Sequence, residues 1–280
     1  MDMQPHSLWP KISIITPSLN QGEYLEQTIL SVISQNYPNL EYIVMDGGST
    51  DGSIDIIRKY EAHLSYWRSE KDQGQSDAIN KGLKLAHGEI VAWLNSDDTY
   101  ADNVLFTIAR EYLRDASDVI YGDYDLITES GLAFLRRREI PFNFEILLYG
   151  VNFIGQPAAF FRRELLLRHG YLDESLKYSM DWEFWLRVAS RGARFQHVPV
   201  LLAHYRYHNS SKTVSSRHDF TAEIHKMRSR YQGDESDFVR ILRGVWARIL
   251  RQWIKLCCRH TIDYLGGPFH RLVYWMASHR

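Results

Sequence analysis

Apolar runs alternate with amphipathic stretches along the first third of the chain. The runs are short and rich in β-favouring residues, which predicts strands at residues 11–16, 40–45, 64–68 and 90–94. The stretches between them have apolar residues at helical spacing, and Asn20 followed by Glu23 is a capping-box signal ahead of the first helix. Strands joined by helical crossovers indicate a doubly wound, mostly parallel sheet.

The pattern changes after a helix predicted at residues 102–114. Two runs at 118–127 and 132–140 predict an antiparallel hairpin around Gly131. Later segments predict a strand at 159–161, a helix at 178–189, a strand at 194–202 and a polar loop at 205–213. The predicted fold class is therefore α/β, with a small antiparallel portion added to the parallel sheet.

The last part of the chain predicts a basic amphipathic helix at residues 237–259. Its apolar positions are Phe238, Leu242, Val245, Ile249, Trp253 and Leu256. Basic residues lie beside this stripe, so three partners remain open: an anionic membrane surface, the catalytic domain, or another subunit. We divide the chain into a domain at residues 1–220 and a helical extension at 221–280.

Composition describes an ordinary globular protein. The 280 residues are 45% hydrophobic and carry a formal net charge of −1, so we expect no nucleic acid partner. From residue 221 onward, 11 Lys and Arg residues face 5 Asp and Glu, a net charge of +6. The only cysteines are Cys257 and Cys258, which suits a reducing compartment, and no apolar run is long enough for a membrane span. We expect a cytoplasmic location, peripheral to the membrane if the basic helix binds lipid.

Candidate chemistry lies where two predicted strands end. The strand at 90–94 stops at Asn95-Ser-Asp-Asp98, and the strand at 40–45 stops at Asp46. Ligands bind at this edge of an open α/β sheet. Adjacent carboxylates repel unless a positive charge lies between them, and a divalent cation carrying phosphates is the usual one. The alternative is a helix N-cap, a role that Asp and Ser also favour.

Five motifs in order resemble family 2 glycosyltransferases of the GT-A fold, of the bacterial type that builds cell-surface polysaccharides. The likeness runs from residue 11 to residue 213. The motifs are Thr16-Pro17, Asp46-Gly-Gly-Ser-Thr-Asp51, Asp72-Gln-Gly74 with Asn80-Lys-Gly82, Asn95-Ser-Asp-Asp98 and Met180-Asp-Trp-Glu183.

The resemblance implies transfer of a sugar, with inversion, from a nucleoside diphosphate donor, with UDP-sugar expected, to a hydroxyl of a saccharide or lipid-linked saccharide. It implies that Asp46 reads the nucleobase and that Asp97 binds Mg²⁺ or Mn²⁺, with Asp98 and His208 as further metal ligands. The remaining donor contacts that it implies are Thr16, Pro17, Lys71, Gln73, Gly74, Asn95, Ser96, Asp98 and Lys212. Asn95 stands where many relatives carry Asp.

The same resemblance makes Asp181 the general base that takes the acceptor proton, since inversion needs direct in-line attack. Met180 stands before it where relatives often have Glu. Trp182 and Gln156 are expected at the acceptor, with core packing as the alternative for the tryptophan.

Other classes of protein fit the sequence less well. A dinucleotide-dependent oxidoreductase needs spaced glycines after the first strand, and residues 16–22 lack them. A sugar nucleotidyltransferase needs a basic, glycine-rich loop after the first strand, and this sequence lacks one there. A nucleotide-sugar-binding protein that has lost catalysis stays open because of Asn95 and Met180.

Overall fold

The protein is described by a computed structural model that covers residues 9–208 and 217–257. Strands and helices alternate through its first half: β1 Ile12–Ser18, α1 Leu25–Ile33, β2 Leu40–Asp46, α2 Ser53–Lys59, β3 Tyr66–Ser69, α3 Gln75–Leu85 and β4 Ile90–Trp93. β1 pairs in parallel with β2 and β4, and β2 pairs in parallel with β3. The predicted crossovers are confirmed.

The second half adds antiparallel strands to this sheet. Its elements are β5 Thr99–Tyr100, α4 Val104–Arg114, β6 Val119–Ile127, β7 Ala133–Arg137, β8 Ala159–Arg162, α5 Glu164–His169, α6 Met180–Ala189 and β9 Phe195–Arg206. The sheet runs in the order β3-β2-β1-β4-β8-β6-β9-β5, with β7 on β6. β8, β7 and β5 pair antiparallel, whereas β6 and β9 are parallel. The α/β fold class is confirmed.

Both faces of the sheet are buried, which explains why its strands are nearly continuous apolar runs. Alternate residues of a strand point to opposite faces. Ile14 of β1 and Ala92 of β4 belong to one hydrophobic cluster, with α1 and α4. Ile15 and Trp93 belong to the other, with α3 and α6. The helices are therefore placed on both sides, and the strand ends are left for polar side chains.

Three local predictions need correction. Helix α1 begins at Leu25 with Tyr24 at its N-cap, and Asn20 makes no cap because its side chain accepts a hydrogen bond from the Thr50 amide at 2.8 Å. Strand β9 continues to Arg206, into the segment predicted as a loop. The domain boundary predicted after residue 220 falls inside a helix, α7 Arg217–Ser229.

The described part of the extension, up to residue 257, is largely helical, as predicted. After α7, helix α8 runs over Asp237–Cys257 and packs on a π-helical turn at Ile146–Gly150. Among the described residues, no helix is both long and apolar enough to span a bilayer.

Candidate active site

A cavity of about 340 Å³ lies at the carboxyl ends of β1 and β4. Asp97, His208, Met180 and Asp181 all border it. Asp97 and Asp181 are distant in the sequence, and the fold brings both of these predicted site residues to the same cavity.

The acidic loop at residues 95–98 is held by Arg206, a buried residue at the end of β9. Its Nε donates to the Asp97 carbonyl at 2.8 Å, and its backbone N–H donates to Asp98 Oδ1 at 2.9 Å. The guanidinium also donates to the Thr128 and Glu129 carbonyls and stands over the Tyr24 ring. Nothing in the local sequence around Arg206 marks it for this role.

Asp98 supports the loop and also borders the cavity. It is 1% exposed, and its second oxygen accepts from Asn95 Nδ2 at 3.3 Å. Burial raises the pKa of the Asp98 carboxyl well above its ordinary value, and the charge of Asp97 raises it further. The metal and donor contacts predicted for Asp98 stay predictions.

Asp97 and His208 form the pair that could hold a metal ion. Asp97 Oδ2 lies 3.0 Å from His208 Nε2, and both residues border the cavity. One carboxylate oxygen and one imidazole nitrogen form a donor set that suits Mn²⁺, and Mg²⁺ or Mn²⁺ sites often take their other ligands from phosphates and water. The residues therefore fit a divalent cation. No group of three or more such ligands occurs within the described ranges.

Asn95 is held in place by amide side chains. Its Oδ1 accepts from Gln75 Nε2 at 2.7 Å, and its Nδ2 donates to Gln156 Oε1 at 3.0 Å. Gln156 in turn donates to the Trp93 carbonyl at 2.6 Å. Gln156 borders the cavity, but its amide groups are occupied by this network, so we assign it to the support of Asn95.

Asp181 lies at the first turn of α6, partly buried beside the cavity. Asn152 Nδ2 donates to Asp181 Oδ2 at 2.9 Å. Loss of hydration raises the pKa of the Asp181 carboxyl to about 6, against the effect of hydrogen bonds from the Trp182 amide and Asn152. The carboxylate is thus fixed in direction, and its pKa is close to neutral pH, as general-base chemistry requires.

Glu223 of α7 holds the segment that precedes Asp181. It accepts hydrogen bonds from the backbone N–H groups of Lys177, Tyr178 and Ser179 and from the Ser179 hydroxyl, all at 2.8–2.9 Å. Lys177 and Tyr178 border the cavity. The negative charge of Glu223 also raises the pKa of Asp181. Sequence reasoning missed Glu223 because this contact joins the extension to the domain and has no local signal.

Asp46 is hydrogen-bonded within its own turn, and the nucleobase role predicted for it stays a prediction. Its carboxylate accepts from the amide of Ser49 and from the hydroxyls of Ser49 and Ser69, so it closes the turn after β2. Within the described residues it does not border the cavity, whereas Asp72 does. A Cβ at Gly47 would collide with the Asp72 carboxylate, so the glycine lets Asp72 approach. The motif Asp72-Gln-Gly74 already contained this signal.

The other predicted site residues divide into two groups. Pro17, Gly74 and Ser96 border the cavity with the groups above. Among the described residues, the predicted contacts that do not border it are Thr16, Lys71, Gln73 and Trp182. Lys212 lies outside the described residues.

Thr16 and Trp182 are core residues. The Thr16 hydroxyl contacts the Tyr42 hydroxyl at 3.0 Å. Trp182 is 6% exposed, donates from Nε1 to the Leu147 carbonyl and stacks against the Arg228 guanidinium. The core alternative is therefore the correct one for this tryptophan.

Comparison with known sequences gives consistent matches. The family model described as glycosyl transferase family 2 matches residues 13–170. An uncharacterized glycosyltransferase of Mycobacterium tuberculosis is 33% identical over 183 residues, which cover 64% of this chain and 69% of that protein. The putative teichuronic acid biosynthesis glycosyltransferase TuaG of Bacillus subtilis is 30% identical over 212 residues, 72% of this chain and 81% of TuaG.

Solved structures share the fold at lower identity. TarS 1–349 of S. aureus in complex with UDP-GlcNAc has a TM-score of 0.63 at 21% identity, over 82% of this chain and 69% of that one. Against the longer TarS chain, the match covers 41% of that chain. The mannosyltransferase PcManGT of Pyrobaculum calidifontis, in complex with GDP-Man and Mn²⁺, has a TM-score of 0.60 at 19% identity, over 96% of this chain and 80% of that one.

We predict that Asp181 titrates with a pKa of about 6 and is ionised above that pH. Asn152 donates a hydrogen bond to the ionised form, so Asn152→Ala should raise this pKa further. Carboxyl ¹³C NMR of aspartate-labelled protein measures both values, and Asp181→Asn identifies the signal. A wild-type pKa of about 3.9, the ordinary value for Asp, would contradict the burial of this group.

We predict that Glu223→Ala lowers the free energy of unfolding by about 1–3 kcal/mol, because partly buried donors at Tyr178 and Ser179 lose a charged acceptor. It should also lower the pKa of Asp181, since a neighbouring negative charge is removed. Urea unfolding and the same NMR titration measure the two effects. The matched control is Glu164→Ala on α5, whose side chain is 58% exposed and pairs only on the surface with Arg168. Equal effects of the two substitutions would remove the role given to Glu223.

Proposed function

Because the chain belongs to glycosyl transferase family 2, we propose that it transfers a sugar from a nucleoside diphosphate donor to an acceptor hydroxyl, with inversion at the anomeric carbon. Its structural likeness to TarS agrees with the expected GT-A fold. The observation that carries the mechanism is that Asp97, His208 and Asp181 border one cavity.

The proposed donor is a UDP-sugar, with its diphosphate beside residues 95–98. Asp97 and His208 are the residues that would hold Mg²⁺ or Mn²⁺ there. The cation would offset the negative charge that develops on the departing diphosphate. TarS in complex with UDP-GlcNAc and PcManGT with GDP-Man and Mn²⁺ support a nucleotide-sugar donor and a metal ion by analogy of fold.

The nucleobase role passes from Asp46 to Asp72 in this proposal. Asp72 borders the cavity together with Pro17 and Gly74, whereas the Asp46 carboxylate is enclosed by its own turn. A carboxylate accepts the imide N–H of uracil, which is consistent with uridine. The Asp72 backbone and side chain are held by the adjacent turn, since Asp72 Oδ1 accepts from the Gly74 amide at 2.8 Å.

Asp181 acts as the general base. The acceptor oxygen attacks the anomeric carbon, its proton passes to an Asp181 carboxylate oxygen, and the bond from the anomeric carbon to the diphosphate oxygen breaks. Asn152 keeps the carboxylate directed during this transfer. The acceptor is a saccharide hydroxyl, free or lipid-linked, and a role in surface polysaccharide or glycolipid synthesis agrees with the name of the relative TuaG.

We predict that Asp181→Asn reduces transfer and donor hydrolysis by about 10²-fold or more, because the base is lost. The affinity for UDP should stay unchanged, since Asp181 contacts the acceptor end. Isothermal titration calorimetry with UDP and Mn²⁺ measures the affinity, and an assay of sugar transfer and donor hydrolysis measures the turnover. Asp55→Asn, at an exposed carboxylate on α2, is the control and should change neither.

Unchanged turnover in Asp181→Asn would contradict its role as the base. Donor binding without any turnover in the wild-type protein would instead favour the alternative of a binding protein that has lost catalysis. Formation of a nucleotide sugar from a nucleoside triphosphate would favour the nucleotidyltransferase.

A further inference from the structure

Helix α8 turns its hydrophobic side away from the protein. Eight large apolar side chains of this helix, which we call the apolar face, are 48–69% exposed. They are Phe238, Ile241, Leu242, Val245, Trp246, Ile249, Trp253 and Leu256. The face is about 27 Å long at 1.5 Å per residue. Globular proteins rarely leave such a patch in contact with water unless it binds something.

The opposite side of α8 fixes the rotation of the helix. Arg251 Nη2 donates to Glu139 Oε2 at 2.9 Å, and both side chains are buried. Small residues allow close contact, because a Cβ at Gly244 would lie 3.2 Å from the Tyr149 carbonyl oxygen. Rolling the helix to bury its apolar face would break the buried ion pair between Arg251 and Glu139, which costs free energy. The outward direction of the apolar face is therefore built into the fold.

The composition of the exposed side fits a lipid surface. Phe, Trp and Leu on one face with arginines beside them are typical of helices that lie in the headgroup region of a bilayer. At 100° per residue, Arg248 stands about 100° from the centre of the apolar face, and it is exposed. A long arginine side chain in this position reaches headgroup phosphates while the apolar residues enter the acyl region.

Charge favours lipid over a second copy of this chain. Of the five basic residues of α8, Arg240 and Arg243 pair with acids of the protein, and Arg251 and Lys255 are buried. Arg248 is exposed and makes no ion pair among the described residues. A second copy would offer the same positive charge beside its apolar face, whereas an anionic bilayer supplies the opposite charge. We propose that α8 docks the protein on an anionic membrane surface, lying in the plane of the membrane with its apolar face inserted.

Docking would place the membrane close to the base. Helix α8 packs on Ile146–Gly150, and Arg228 donates to the Gly150 carbonyl at 2.8 Å. Two residues further on, Asn152 holds Asp181. If the proposed glycosyl transfer holds, on which this step rests, the acceptor is an amphiphile whose hydroxyl is presented from the bilayer at the Asp181 side of the cavity.

Vesicle flotation of the full chain tests the docking. We expect the protein to float with vesicles of phosphatidylglycerol and phosphatidylcholine, more weakly with phosphatidylcholine alone, and less as salt increases. The triple variant Leu242→Ser/Ile249→Ser/Trp253→Ser should lose at least about tenfold in vesicle affinity, because inserted apolar area drives the binding. The matched control is Leu113→Ser/Leu167→Ser, at leucines of α4 and α5 that are 61% and 64% exposed, and it should bind as wild type.

A second variant keeps the test decisive if the triple variant folds poorly. Arg248→Glu leaves the apolar face intact and should weaken binding to the anionic vesicles only. Failure of the wild-type chain to float, equal flotation of the triple variant, or a dimer in solution that the triple variant abolishes would each overturn the proposal. UDP affinity without vesicles should be the same in all variants, so failure of docking and failure of the proposed function give different results.

Discussion

The site depends on how the fold reduces the electrostatic repulsion between two adjacent carboxylates, Asp97 and Asp98. Arg206 reaches the acidic loop from the end of β9, binds the Asp97 carbonyl and presents its backbone N–H to Asp98. Both carboxylates border the cavity, but Asp98 is 1% exposed, whereas the Asp97 side chain is 21% exposed and contacts His208. The positive charge of Arg206 lies close to both carboxylates and reduces the repulsion between them. Asp97 is the carboxylate that we propose as the ligand of a cation-bound diphosphate.

Asp181 is supported by different parts of the chain. Asn152, which follows the π-helical turn, donates a hydrogen bond to Asp181, and Glu223 of α7 accepts hydrogen bonds from the backbone of residues 177–179. Helix α8 packs on the same π-helical turn, and its buried ion pair with Glu139 directs its apolar face outward. Residues 146–152 thus connect the support of Asp181 with the helix that we propose as the membrane-docking element.

The pattern of apolar and polar residues predicted the features that depend mainly on residues close together in the sequence. The strands of the parallel half, helix α6 opening near Asp181, and the acidic loop after β4 followed from apolar runs and turn residues. Which carboxylate faces the cavity did not follow, because the turn that encloses Asp46 and exposes Asp72 depends on Gly47 and on contacts with β3. The interior place of Trp182 and the outward stripe of α8 also depend on partners distant in sequence, Arg228 and Glu139.

The most direct measurement is the anomalous diffraction of crystals grown with Mn²⁺ and a non-hydrolysable UDP-sugar analogue. We expect a manganese peak bound by Asp97 and His208 and by the diphosphate, with the sugar extending toward Asp181. The Asp181 carboxylate should lie on the face of the anomeric carbon opposite the diphosphate. A metal ion bound elsewhere, or Asp181 on the same face as the leaving group, would contradict this expectation.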